Sequence, residues 1–221
     1  VKGRVIEMRY EALEKGVEIR VSDVVLEGDL FIPGDAKGIV LFAHGSGSSR
    51  HSPRNRYVAG VLQKEGMATL LIDLLTKKED SVYETRFNID LLVTRLLEIT
   101  EWLKGQEETK SLSVGYFGAS TGAAAALKAA ARSTLEISAV VSRGGRPDLA
   151  ESALEKVGAP TLLIVGGDDS VVIELNQVAY RKLNSPKELV IVPGATHLFE
   201  EPGTLEEVAR LATRWFQKYL I

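Results

Sequence analysis

The chain changes its hydrophobic rhythm near residue 38. Before that point apolar and polar residues alternate, as in Val17-Glu18-Ile19-Arg20-Val21 and again from Val25 to Ile32. A period of two puts successive side chains on opposite faces of a sheet. Residues 17–32 are therefore expected to form half-buried, antiparallel strands, with another strand over 4–9. From Gly38 onward the apolar residues come in short runs, unbroken at 38–43 and mainly apolar at 68–72, 112–117, 137–141, 161–165 and 189–192. Such runs suit strands covered on both faces. Between them the spacing turns helical. Pro53 to Glu65 reads as a helix, with Ser52 as its cap and Pro53 in its first turn. Within 86–103, Ile89, Leu92, Val93, Leu96 and Leu103 fall on one stripe. Further helices are expected after the 112–117 run and over 148–157, 172–183 and 204–219. Residues 73–83 are charged and read as irregular. Strands alternating with helices from residue 38 onward predict right-handed βαβ units and a parallel sheet.

The length of 221 residues suits one α/β domain, and no linker, charge block or repeat divides the chain, so 1–221 is expected to be a single domain. A chain of this size buries roughly 70% of its unfolded surface, enough to fold without covalent or metal staples. It has no cysteine, which excludes a disulfide framework, a thiolate nucleophile and Cys-based zinc sites. That composition fits a reducing, cytoplasmic location. The net charge of −3 gives no pull toward nucleic acid or anionic membrane. No apolar run approaches the ~18 residues of a membrane span. Val1 to Tyr10 mixes charged and apolar residues and does not read as a signal peptide.

Candidate chemistry centres on Gly118-Ala119-Ser120-Thr121-Gly122, which follows the 112–117 run and precedes an alanine-rich helix. This is the G-x-S-x-G pattern in strand–turn–helix context, the setting of a nucleophilic serine at a tight turn. Gly166-Gly167-Asp168-Asp169 follows the run at 161–165, and His197 follows the run at 189–192. The order Ser, Asp, His, each just past a strand, is the one expected for a serine hydrolase with a parallel sheet, whose strand ends share one edge. The expected roles are Ser120 as nucleophile, His197 as base and Asp169 as the acid that orients it. Asp169 is preferred to Asp168 because it completes Gly166-x-x-Asp ahead of Val171-Val172. The expected oxyanion donors are the backbone N–H groups of Thr121 and Ser46, the latter in the loop His44-Gly45-Ser46-Gly47.

The stretches "LFAHGSGSSRHSPRNRYVA", "GYFGASTGAAAAL", "VSRGGRPDLA", "PTLLIVGGDDSVV" and "VPGATHLFEEPG" together resemble the dienelactone hydrolase-like α/β-hydrolases. More narrowly, they are similar to the small hydrolase-like domains found alone or fused to phosphoribosyltransferase domains. The resemblance covers nearly the whole chain. It implies an α/β-hydrolase fold: a mostly parallel sheet of about eight strands, helices on both faces and no separate lid domain. It implies ester hydrolysis without a cofactor or metal, on a small-molecule ester. True dienelactone hydrolases carry cysteine where this chain has Ser120, so the departure falls on lactone specificity. Acyl transfer or thioester hydrolysis on the same residues is the alternative, as is a non-catalytic ligand-binding protein on the same scaffold.

Other residues admit two readings. Arg50, Arg54, Arg56, Arg143 and Arg146 lie in two loops that leave the sheet on the same edge. They either bind an anionic substrate through guanidinium forks or pin loops through carboxylates such as Asp148. His44 is expected to shape its loop and His51 to be solvated. Gly45-Ser46-Gly47 invites a nucleotide-binding reading, but Arg50 stands at the third-glycine position and no P-loop pattern occurs.

Overall fold

The computed structural model describes residues 12–221. The strand expected over 4–9 lies outside them. The eight strands form one sheet in the order β1-β2-β4-β3-β5-β6-β7-β8. β1 (Leu13–Val21) and β2 (Val24–Ile32) form an antiparallel hairpin, turning at Ser22, and β2 pairs antiparallel with β4 (Ala68–Ile72). β3 (Gly38–Ala43), β4, β5 (Ser113–Ala119), β6 (Ile137–Arg143), β7 (Thr161–Gly166) and β8 (Lys187–Val192) run parallel. This is the α/β-hydrolase fold.

The parallel strands sort their side chains between two cores. In β3, Ile39, Leu41 and Ala43 point to one and Val40 and Phe42 to the other. The second core is closed by α1 (Pro53–Lys64) and α7 (Thr204–Tyr219), through residues such as Val58, Leu62, Val208 and Phe216. The first is closed by α4 (Ile89–Gly105), α5 (Thr121–Arg132) and α6 (Ser170–Lys182). Both faces of the central strands are thereby removed from water, which is why their sequences are mainly apolar runs.

Helix boundaries follow local chemistry. The Ser52 hydroxyl accepts the Asn55 N–H at 3.4 Å, and Pro53 opens α1. The stripe from Ile89 to Leu103 is buried as its spacing requires. Its helix starts at Ile89 rather than Arg86, because Asn88 Oδ1 accepts the Leu91 N–H at 3.1 Å and caps it. The segment expected to be irregular, 73–83, contains a single turn, α2 (Lys77–Asp80), and a second, α3 (Tyr83–Arg86), begins at its last residue. α2 is fixed by a reciprocal capping box between Thr76 and Glu79. The helix expected over 148–157 is a 3₁₀ segment, Pro147–Lys156, broken at Glu151, whose φ is 54°. Only Gly144-Gly145-Arg146 separates it from β6. Among the described residues no helix is long and apolar enough to cross a membrane.

Candidate active site

Ser120 sits between the end of β5 and the first residue of α5, with φ 51° and ψ −120°. A non-glycine residue at positive φ is strained and persists only where its surroundings over-determine it. Here they do. The Ser120 N–H donates to the Arg143 carbonyl at 3.2 Å, and the Ser120 carbonyl accepts the N–H groups of Ala123 and Arg146, both at 3.1 Å. The flanking glycines are required by close approach. A Cβ on Gly122 would collide with the carbonyl oxygens of Ala43 and His44, and one on Gly118 with the backbone of Ala123. The elbow is thus wedged between β3 and its own helix.

Asp169 and His197 come from loops that follow β7 and β8. Asp168 donates its N–H to the Ala195 carbonyl at 2.9 Å, and Gly167 donates to Val192 at 2.8 Å, stitching the loops together. Asp169 Oδ2 then lies 2.7 Å from His197 Nδ1. The Asp169 side chain makes no cap bond to α6, so its carboxylate is left for the imidazole. Asp168 is exposed. The histidine loop has an anchor that sequence reasoning missed. Thr196 donates from its N–H (3.1 Å) and hydroxyl (2.6 Å) to the Glu201 carboxylate. Those bonds, the hydroxyl one foremost, hold the Glu201 carboxyl below the usual range. The local string His-Leu-Phe-Glu-Glu gives no hint of that bond.

The loop after β3 approaches from the other side. A Cβ on Gly45 would lie 3.2 Å from Ser120 Cβ, so the loop touches the nucleophile position. The Ser46 N–H, expected to face an oxyanion, donates to Thr121 Oγ1 at 2.8 Å. His44 is buried and uses both ring nitrogens. Its Nδ1 lies 3.0 Å from the Gly45 carbonyl, and its Nε2 accepts the Leu74 N–H at 3.0 Å. This fixes the neutral Nδ1–H tautomer and ties the β3 loop to the β4 loop. Burial holds the His44 pKa below its ordinary value. The loop-shaping reading of His44 accounts for all of these contacts.

The arginines take several positions. Arg50 is surrounded by carboxylates: Asp73, Glu27 at 2.7 Å and Asp29 at 3.6 Å. Arg54 pairs with Glu200 at 2.7 Å, and Arg146 grips Asp148 with two nitrogens at 2.9 and 2.7 Å. Arg143 is buried under the histidine loop. Arg86, which sequence reasoning did not single out, places Nη1 near Gly47. A cavity of about 290 Å³ lies beside the β3 loop, lined by His44, Ser48, Arg50, His51 and Asp73 among others. A larger one of about 530 Å³ lies against β1, β2 and α1, and contains none of Ser120, Asp169 and His197. These two clefts lie beside the candidate site and away from it, respectively.

The family model described as "Dienelactone hydrolase family" matches residues 26–220. A crystal structure of a dienelactone hydrolase from Anabaena variabilis is 58% identical, covers 95% of this chain and 99% of that chain, and superposes with a TM-score of 0.93. A Mycobacterium tuberculosis protein with a provisional phosphoribosyl transferase name is 58% identical over 94% of this chain. The match takes in 47% of that protein, so the chain spans about half the length of the curated relatives it matches. The structure of an esterase from Pyrococcus furiosus, 22% identical, covers 95% of this chain and 92% of its own with a TM-score of 0.78, which is a likeness of fold.

Proposed function

The chain belongs to the dienelactone hydrolase family, and we propose that it cleaves small carboxylic esters through an acyl-enzyme formed on Ser120. The observation that carries this reading is the 2.7 Å pairing of Asp169 with His197, on loops that leave the same sheet edge as a strained Ser120.

A serine hydroxyl is a weak nucleophile until a base takes its proton. Asp169 holds the His197 Nδ1–H, which leaves Nε2 with a lone pair to act as that base. Ser120 Oγ attacks the ester carbonyl carbon while its proton passes to His197 Nε2. The carbonyl π pair moves onto oxygen, giving a tetrahedral oxyanion. Its collapse breaks the bond to the alcohol, which leaves with the proton from His197. Water then repeats the sequence: His197 takes its proton, its oxygen attacks the acyl carbon, and Ser120 Oγ departs reprotonated. The carboxylic acid is released.

Thr121 N–H and Ser46 N–H are the oxyanion donors in this reading. Ser46 now serves the Thr121 hydroxyl, and it exchanges that acceptor for the reacting oxygen as negative charge builds there. Only three residues join β6 to the next segment, too few for a covering lid there, and in this reading the site takes short acyl chains in preference to long ones. Intact-mass analysis after treatment with a fluorophosphonate, alongside a panel of p-nitrophenyl acetate to palmitate, tests the reading. One adduct on wild type, none on Ser120→Ala, and turnover falling with chain length are expected. A wild-type protein that takes no label and hydrolyses no ester overturns it.

A further inference from the structure

Arg143 is 6% exposed, yet among the described residues it forms no ion pair. Its Nε is sealed from water without an acceptor. Its Nη1 reaches the Leu198 carbonyl at 3.5 Å, and its guanidinium lies 5.9 Å from the centre of the Phe199 ring. Desolvation, and then the like charge of Arg54, lower its pKa to about 10, which leaves it charged at neutral pH. A buried cation with so little return is costly to the fold.

What it touches suggests why it is there. Leu198 and Phe199 directly follow His197 in the chain. Phe199 is itself buried and strained, with φ 57°. The Arg143 carbonyl accepts the Ser120 N–H. Gly144 has φ 51° and lies under the histidine: a Cβ there would be 3.1 Å from the His197 carbonyl oxygen and 3.5 Å from ring atoms Nδ1 and Cε1. The Gly145 carbonyl accepts from the buried Asn176 amide at 3.0 Å, on the helix that begins just after Asp169. Residues 143–145 therefore contact the supports of all three candidate groups.

We propose that Arg143 is a positioning residue: its side chain clamps the Leu198–Phe199 segment against the end of β6 and so fixes the His197 imidazole relative to Ser120. This rests on the serine-hydrolase reading. A displacement on the order of 1 Å in such a constellation costs about 100-fold in rate. The charged neighbour that bears on Arg143 is Arg54, itself engaged by Glu200 at 2.7 Å.

The test uses Arg143→Met, Arg143→Ala and Arg143→Lys with matched neutral and anionic short-chain esters. Fluorophosphonate labelling of wild-type Ser120 comes first, and its failure sinks the serine-hydrolase reading whatever Arg143 does. With that in hand, Arg143→Met is expected to lower kcat by about 100-fold, with KM within about threefold. The low-field proton resonance of the His197–Asp169 bond should broaden or vanish. Added guanidinium ion should restore part of the kcat of Arg143→Ala and none of wild type. Should Arg143→Met not fold, Arg143→Lys carries the same split at smaller size, since a point charge cannot hold carbonyl and ring together. A folded variant with unchanged kcat and an intact low-field proton overturns the proposal. So does a rise in KM confined to anionic esters at constant kcat, which would make Arg143 a substrate contact.

Discussion

Asp169 faces His197 at 2.7 Å, whereas its neighbour Asp168 is exposed and contributes only a backbone N–H to Ala195. The two carboxylates are therefore separable by substitution. Asp169→Asn keeps the shape but leaves the imidazole without a charged partner and admits the wrong tautomer. Its kcat is expected to fall about 10⁴-fold, the size of effect seen when a triad carboxylate becomes an amide. Asp168→Asn should stay within about threefold of wild type, as a solvated surface change does. Steady-state hydrolysis of p-nitrophenyl acetate decides, and a crippled Asp168→Asn beside an active Asp169→Asn would reverse the assignment.

His44 predicts a pH effect on stability. Its pKa in the folded protein is below the ordinary 6.5, chiefly through burial, and both ring nitrogens are engaged in the neutral form. As pH falls through 6.5 the unfolded chain takes up a proton that the folded chain refuses. Stability is thus highest above that pH and declines below it, until the folded histidine also protonates. The limiting slope is one proton, about 1.4 kcal/mol per pH unit. Urea midpoints from pH 8 to pH 5 should fall for wild type and fall less steeply for His44→Gln. Parallel curves would remove His44 as the cause.

Gly122 tests the wedge beneath the elbow. An added methyl meets the carbonyl oxygens of Ala43 and His44, neither of which can rotate away without moving β3. Gly122→Ala should cost about 3 kcal/mol or more, read as a lower urea midpoint or as insoluble protein. Gly60→Ala in α1, where a Cβ meets nothing within 4 Å, is the control and should be neutral or stabilising.

Arg50 and Arg146 already have carboxylates, so their removal should loosen loops rather than change preference. Arg50→Ala and Arg146→Ala are expected to keep the ratio of kcat/KM for matched anionic and neutral esters within about twofold, below the tenfold that a 1.4 kcal/mol contact would give. Thermal midpoints should drop by a few degrees, about what 1 kcal/mol gives in a chain of this length. A collapsed ratio at unchanged stability would make either arginine a substrate contact.

The central strands were legible because burial on both faces leaves a mainly apolar run, β1 and β2 because one buried face leaves an alternation, and α1 because Ser52-Pro53 is a local start signal. The pattern around Ser120, Asp169 and His197 was legible because turns after strands need glycine and polar residues in short, ordered strings. Hidden features depend on distant partners. The start of α4 was displaced because Asn88 outcompeted the amphipathic spacing that begins at Arg86. β6 runs on to Arg143 because Ala119 and Ile164 pair with it from either side. The Ser46–Thr121 bond joins residues 75 apart, and no window along the chain contains both.

That same bond has an energetic consequence for the proposed chemistry. An N–H pointing into an empty cleft would be a vacancy that water or a product could fill indiscriminately. Here the resting protein carries its own occupant, a neutral hydroxyl. A ground-state ester carbonyl is also a neutral acceptor, so exchanging one for the other gains little. A developing oxyanion is charged, and a charge-assisted bond is about twice as strong as a neutral one. The exchange becomes favourable only as negative charge accumulates on the reacting oxygen. In the proposed mechanism the plug acts as a threshold: it withholds the donor from the substrate and yields it to the transition state, which is where binding energy accelerates a reaction.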